Sequence, residues 1–141
     1  KINNQVFWKA IPASKYDKNK HGFRVSTVEE NTANLESIYT VIKKHLPNAK
    51  IIFTLSPIPL VATFRNQSCI TANSISKSIL RVALDNVITK YNKNKDIFYF
   101  PSYEIVNQVF LDPFKPDNRH LKDEFVDKIM ELFEENFCIK T

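Results

Sequence analysis

Two residues near the C-terminal end have the types and the spacing of an acid–base pair. Asp117 precedes His120 by three residues, in a polar stretch that ends where an amphipathic helical pattern begins. The carboxylate can hold the imidazole in one tautomer and stabilise its protonated form, while the other ring nitrogen takes a proton from a hydroxyl or a water. The alternative is that Asp117 caps the final helix and His120 lies exposed in its first turn.

A hydrolase built on this pair needs a nucleophile, and the sequence offers only weak candidates. Ser56 and Ser102 each follow a run of β-forming residues, but each is next to a proline and neither has the flanking glycines of a strained nucleophile elbow. Both are predicted to bind substrate, with a turn or cap role as the alternative. Arg65 is the third predicted substrate-binding residue, because a guanidinium beside a strand end can bind a carboxylate or phosphate.

The elements that position these residues alternate between helix and strand. Thr27 and Glu30 have the spacing of a capping box that opens a first helix, which Pro47 and Asn48 end. Further helices are predicted over residues 74–91, 103–110 and 121–137, with a loop over residues 60–72. Residues 51–55 and 97–100 are predicted to be short buried strands, and prolines follow both.

This order of elements predicts an α/β layered fold with parallel strands. The carboxyl ends of parallel strands lie at one edge of a sheet, so Ser56, Ser102 and the loop with Asp117 and His120 are expected at one rim. Residues 1–27 are predicted to be an irregular lead-in. The 141 residues, 43% of them hydrophobic, are enough for a single domain over residues 1–141.

Composition narrows the range of functions. The only glycine is Gly22, whereas a complete α/β enzyme normally uses several at tight turns and oxyanion loops, so we expect a segment of a longer protein. The net charge of +5 is spread thinly without an arginine-rich block, so no nucleic-acid partner is expected. No apolar run reaches the roughly 18 residues of a membrane span. Neither a metal site nor a cofactor is predicted.

The cysteines and several charged side chains are predicted to have structural roles, not functional ones. Cys69 and Cys138 share no metal-binding or redox spacing, so free thiols in the cytoplasm are predicted, although a single disulfide remains open. Lys77 and Arg81 lie one helical turn apart, and Arg81 is predicted to pair with the acidic residue four positions on. Glu104 is predicted to hold its loop by pairing with a basic side chain, not to act as an acid.

Four ordered segments resemble the GSCFA-domain family. Residues 52–64 (IFTLSPIPLVATF) are similar to the family's TVSPVPLxATF stretch, and residues 72–81 (ANSISKSILR) to its AN-x-x-SK-x-x-LR segment. Residues 99–104 (YFPSYE) match a third segment, and Asp117-x-x-His120 falls where the family has its D-x-RH. Together these segments cover roughly residues 25–135 at plausible spacing, which makes the resemblance specific.

The resemblance implies a fold and a chemistry. GSCFA domains are similar to SGNH/GDSL hydrolases, which implies a flavodoxin-like three-layer α/β/α fold with a parallel sheet, expected here to be incomplete. It implies hydrolysis or transfer of an acyl group on a small-molecule or carbohydrate ester, with Asp117 and His120 as the catalytic pair. The oligomeric state is left open.

The chain departs from the family at one point. The Gly-Ser-Cys-Phe-Ala signature that carries the family's serine does not occur in this sequence. The main hypothesis is therefore the C-terminal portion of a serine-dependent esterase or O-acyltransferase whose nucleophile lies outside this chain. The alternative is a truncated, non-catalytic binding or scaffold module of the same fold.

Overall fold

The computed structural model of the chain describes residues 11–139, apart from the side chain of Ala13. Within that range the protein is a mixed α/β fold whose elements follow the alternating order that the sequence predicts. They are α1 (Val28–His45), β1 (Ile51–Thr54), α2 (Cys69–Tyr91), β2 (Ile97–Phe100), α3 (Ser102–Glu104) and α4 (Asp123–Phe137). A π-helical turn, Ile105–Val109, follows α3 directly.

The two strands are parallel, as predicted, with Ile51 opposite Ile97 and Thr54 opposite Phe100. One side of this pair packs against α1 and α2, through a buried cluster that includes Tyr39 and Val87. Because side chains alternate along a strand, Phe98 and Phe100 point the other way. They meet the aromatic rings of α4, Phe133 and Phe137. The finer expectation, a flavodoxin-like three-layer fold, stays a prediction.

Local signals define the start of α1 correctly. The Thr27 hydroxyl accepts from the Glu30 amide at 3.2 Å, and the Thr27 amide donates to the Glu30 carboxylate at 2.9 Å, which completes the predicted capping box. This reciprocal pair satisfies two amides that the first helical turn would otherwise leave without partners.

The start of α2 corrects the sequence-based boundary. The helix begins at Cys69, five residues before the predicted residue 74, so the predicted loop over residues 60–72 is wrong in its last part. The early turn is stabilised by contacts with the preceding loop, since Cys69 and Asn73 both bind the backbone of Leu60.

The last helix begins at Asp123 instead of residue 121, because Leu121 forms a β-bridge with Phe114.

A polar cluster joins α1 to the amino ends of both strands. Asp96 accepts from the Tyr39 hydroxyl at 2.9 Å and lies 2.7 Å from the Lys43 ammonium, while its backbone oxygen accepts from the Ile51 amide at 2.7 Å. The hydrogen bond from Lys43, followed by that from Tyr39, holds the pKa of Asp96 below its ordinary value. This end of the sheet is therefore fastened independently of the carboxyl ends, where the predicted site residues lie.

Candidate functional site at the carboxyl ends of the strands

Two hydroxyl groups join the carboxyl ends of β1 and β2. Thr54 Oγ1 donates to the Phe100 carbonyl at 2.8 Å and lies 2.6 Å from Ser102 Oγ, which donates to the Leu55 carbonyl at 3.1 Å. Ser102 is buried, with 7% of its surface exposed. Its hydroxyl therefore links the carboxyl ends of the two strands, and its role in substrate binding stays a prediction.

Side chains of α2 hold the backbone of the loop that follows β1. Lys77 Nζ donates to the Ser56 carbonyl at 2.6 Å, Asn73 Oδ1 accepts from the Leu60 amide at 3.0 Å, and Cys69 Sγ donates to the Leu60 carbonyl at 3.3 Å. These three side chains are spaced four residues apart and so lie on one face of the helix. Because the loop contains two prolines that cannot donate, α2 supplies partners that a β-ladder would supply elsewhere.

A second network links α2 to the segment after β2. Glu104 accepts from Arg81 Nε at 2.9 Å and from the Tyr99 hydroxyl at 2.8 Å, and the Arg81 guanidinium lies 4.6 Å from the centre of the Tyr99 ring. The predicted pairing of Glu104 with a basic residue is confirmed, as is that of Arg81 with Asp85. Burial, and then the hydrogen bond to Glu104, raises the pKa of Tyr99. These contacts stabilise the rim.

A short hairpin-like loop carries the predicted acid–base pair. Phe114 and Leu121 form an antiparallel bridge, and the Lys115 amide donates to the His120 carbonyl at 2.7 Å. The turn between them is closed by the Asn118 amide, which donates to the Lys115 carbonyl at 2.8 Å, and Asn118 adopts a positive φ of 52°. The loop is therefore an ordered turn. The N-cap position of α4 is Lys122, which makes no side-chain cap bond, so the alternative that Asp117 caps this helix is wrong.

Asp117 and His120 are in direct contact. Asp117 Oδ2 lies 2.5 Å from His120 Nδ1, and Oδ1 accepts from the backbone amides of Arg119 and His120, each at 3.0 Å. A carboxylate only accepts, so Nδ1 carries the proton and Nε2 presents its lone pair. His120 Nε2 makes no hydrogen bond within the described chain, and 57% of the His120 side chain is exposed. Both features suit a group that exchanges a proton with a bound molecule.

The charge state of Asp117 follows from these contacts. Its pKa falls from 3.8 to about 2, mainly because of the His120 side chain and then because of the amides of His120 and Arg119. The carboxylate is therefore ionised throughout the physiological pH range and stabilises a positively charged imidazole.

We expect the titration of Asp117 to report the pair directly. In carbonyl-detected NMR its carboxyl should titrate near pH 2, and His120→Ala should move the midpoint towards 3.8, although the two backbone amides keep it somewhat lower. Because the folded-state pKa lies below the unfolded one, the stability from this contact is present above about pH 4 and is lost as the pH falls towards 2. A midpoint that does not move in His120→Ala would contradict the geometry.

The loop with the pair reaches the loop that follows β1. Asn118 lines an open cleft of about 250 Å³ together with Pro59 and Leu60 from that loop, and the N-terminal part of α2 forms the remaining wall through Cys69, Ile70 and Asn73. Ser56 lies three residues before the cleft-lining Pro59 and is exposed, with its hydroxyl accepting from the Ile58 amide at 3.3 Å. Arg65 follows in the same loop, half-buried, with its amide donating to the Thr63 hydroxyl at 3.1 Å.

Sequence reasoning did not anticipate all the residues that build this rim. Thr54 and Asn118 were not singled out, and Cys69 was considered only as a thiol. The two prolines of the loop were the available signal, because a loop poor in amide donors needs side-chain partners from elsewhere. Neither the strand register nor the position of Asn118 can be read from local sequence.

The described chain is thus a mixed α/β protein with two parallel strands and a hydrogen-bonded Asp–His pair in a loop whose Asn118 meets the loop after β1. It belongs to the GSCFA family, whose model matches residues 1–133, nearly the whole chain. The four motifs quoted above coincide with the hydrogen-bonded rim: Thr54, Asn73, Lys77, Arg81, Tyr99, Ser102, Glu104, Asp117 and His120 all belong to them. No curated protein and no solved structure matches the chain. Between residues 11 and 139, no helix is long and apolar enough to cross a membrane.

Proposed function

We propose that this chain supplies the acid–base pair of a serine-dependent esterase or O-acyltransferase of the SGNH/GSCFA type. One observation carries the proposal: Asp117 and His120 are in contact in an ordered turn, the second imidazole nitrogen has no partner within the described residues, and Asn118 of the same turn lines a cleft. The family assignment supports it, because the match covers these residues, and the resemblance puts the family's D-x-RH motif at Asp117-x-x-His120. The complete domain would have the flavodoxin-like, three-layer arrangement that the resemblance implies.

His120 is the general base and then the general acid in this scheme. Its Nε2 takes the proton of a serine hydroxyl as the serine oxygen attacks the ester carbonyl carbon, and it returns that proton to the departing alcohol. Water or an acceptor hydroxyl then attacks the acyl-serine in the same way, which gives hydrolysis or acyl transfer. Asp117 orients the ring and stabilises the imidazolium between these steps.

The serine itself is placed outside these 141 residues. The Gly-Ser-Cys-Phe-Ala signature is missing from the sequence, and Ser102, one of the two strand-end candidates, is buried and bonded to backbone and Thr54. Ser56, Arg65 and Ser102 are proposed to shape the substrate side of the rim. The substrate is a small-molecule or carbohydrate ester, and the two free thiols suit a cytoplasmic setting.

The test is labelling of the full-length protein with a fluorophosphonate, followed by identification of the tagged residue. We expect one serine outside this chain to be tagged, and His120→Ala to slow tagging by about 10³-fold or more, because the base that activates the serine is gone. His45→Ala, an exposed histidine at the end of α1, is the control and should label normally. Labelling that is equally fast in His120→Ala, or absent altogether, favours the non-catalytic module.

A further inference from the structure

The half-buried cations of the described chain fall into two groups. Most lie against a carboxylate at ion-pair distance, as expected for charges removed from water. These are Lys43, Arg81, Lys115 and Lys122, with nitrogen–oxygen distances of 2.7, 2.9, 2.8 and 2.6 Å. Three others, Arg65, Lys77 and Arg119, are half-buried but make no ion pair with any described carboxylate. The remaining unpaired lysines between residues 11 and 139 are all exposed.

Each of the three unpaired cations belongs to a segment that contributes a residue to the cleft wall. Lys77 is bonded to the Ser56 carbonyl and lies one helical turn after Asn73, which lines the cleft. Arg119 follows Asn118, which lines the same cleft, and directly precedes His120. Arg65 belongs to the loop that supplies the cleft's Pro59 and Leu60. The three half-buried cations of the described residues that have no carboxylate partner therefore belong to the segments that form this cleft.

Arg119 is the clearest of the three. Its Nε is buried and forms no hydrogen bond within the described chain. A buried donor without an acceptor costs on the order of 1–3 kcal/mol, so such a group normally has a partner in the working state of a protein. A guanidinium is suited to an oxyanion, because its parallel N–H groups match two oxygens.

The other two cations, Lys77 and Arg65, also contact only neutral groups and could bind an anion. Lys77 gives one hydrogen bond to a neutral carbonyl, and burial lowers its pKa because no carboxylate offsets the loss of hydration. The guanidinium of Arg65 meets only the neutral side-chain amide of Gln67. The two acids nearest to Arg119 along the chain, Asp117 and Asp123, are already engaged by His120 and Lys115.

We propose that Arg119, Lys77 and Arg65 form an oxyanion-binding subsite, so that the ester substrate carries a carboxylate or a phosphate close to its acyl group. The substrate class rests on the proposed function, whereas anion binding by itself does not. Arg119 supplies the bidentate contact, and Lys77 and Arg65 supply charge. The subsite would hold the substrate's anionic group while His120 acts on the neighbouring ester, which gives discrimination against neutral esters.

Binding is tested with inorganic phosphate and with acetate, titrated separately into the ¹⁵N-labelled intact protein at constant ionic strength. We expect a saturable shift of the Leu60 and Asn118 amides with at least one anion, and the tighter anion identifies the substrate's group. Arg119→Gln should weaken this binding about tenfold, the loss of one charge-assisted contact, and Lys77→Gln about threefold. Lys44→Gln, which removes an exposed and unpaired charge at the far end of α1, is the matched control.

Two further variants separate this proposal from the catalytic one. His120→Ala should bind phosphate or acetate normally while losing turnover, so the two proposals can fail separately. If Arg119→Gln does not fold by circular dichroism, Arg119→Lys keeps the charge, loses the paired N–H geometry and should weaken binding at least threefold. The proposal is overturned if neither anion gives a saturable shift, or if Lys44→Gln weakens binding as much as the rim variants do.

Discussion

His120→Ala in the full-length protein should lower kcat for a neutral chromogenic ester by about 10⁴-fold or more, because the serine loses the base that takes its proton. Asp117→Asn should cost about 10³-fold, since the amide can present its N–H to Nδ1 and stabilise the wrong tautomer. The 2.5 Å contact between the two side chains, in a turn closed by Asn118, is the structural basis for both expectations. KM should change little, because neither residue binds the resting ester.

The control for this experiment is His45→Ala, which removes an exposed imidazole from the C-terminal turn of α1 and should leave kcat within twofold. Circular dichroism on all three variants separates loss of chemistry from loss of folding. Unchanged turnover in His120→Ala would remove the catalytic proposal outright. A large loss in His120→Ala with none in Asp117→Asn would leave His120 as the base and take the orienting role from Asp117.

Phe100→Ala should destabilise the protein by about 3–5 kcal/mol, a large part of the roughly 5–15 kcal/mol that holds a typical domain together. Phe100 is 7% exposed and lies edge-on to two rings of α4, with centroids 5.3 Å from Phe133 and 6.0 Å from Phe137. Its removal leaves a cavity between β2 and α4 and ends both edge-to-face contacts. Urea unfolding followed by circular dichroism measures the loss.

Phe64→Ala is the matched control, since it deletes the same side chain at a position that is 67% exposed. Among the described residues, Phe64 meets two surface rings, with centroids 6.1 Å from Tyr16 and 5.6 Å from Phe23. We expect a loss of about 0.5 kcal/mol or less there. Equal shifts of the urea midpoint in the two variants would show that the contact between β2 and α4 does not stabilise the fold.

The parts of the structure that sequence predicted are those determined by near neighbours in the chain. The capping box of Thr27 and Glu30 depends on three residues of spacing, and the two strands are short runs of apolar, β-forming residues. The contact between Asp117 and His120 is of the same kind, because the two residues share one turn. Parallel pairing followed from the alternation of helices and strands.

The parts that sequence missed depend on contacts between distant segments. The early start of α2 is stabilised by Leu60, which lies nine residues upstream of Cys69 and bonds to it. The burial of Ser102 follows from the register that brings Thr54 opposite Phe100. The unpaired state of Arg119 is a property of its surroundings, because an arginine in a sequence gives no sign of whether a carboxylate will reach it.

The left-handed backbone at Asn118 restricts how this loop can evolve. A φ of 52° lies in the left-handed region, which glycine, asparagine and aspartate adopt at little cost. β-Branched residues adopt it rarely. Glycine would remove a side chain from the cleft wall, and aspartate would add a negative charge beside Asp117. Substitution at this position is therefore expected to favour a few residue types, even though the side chain takes no part in the proposed proton transfer.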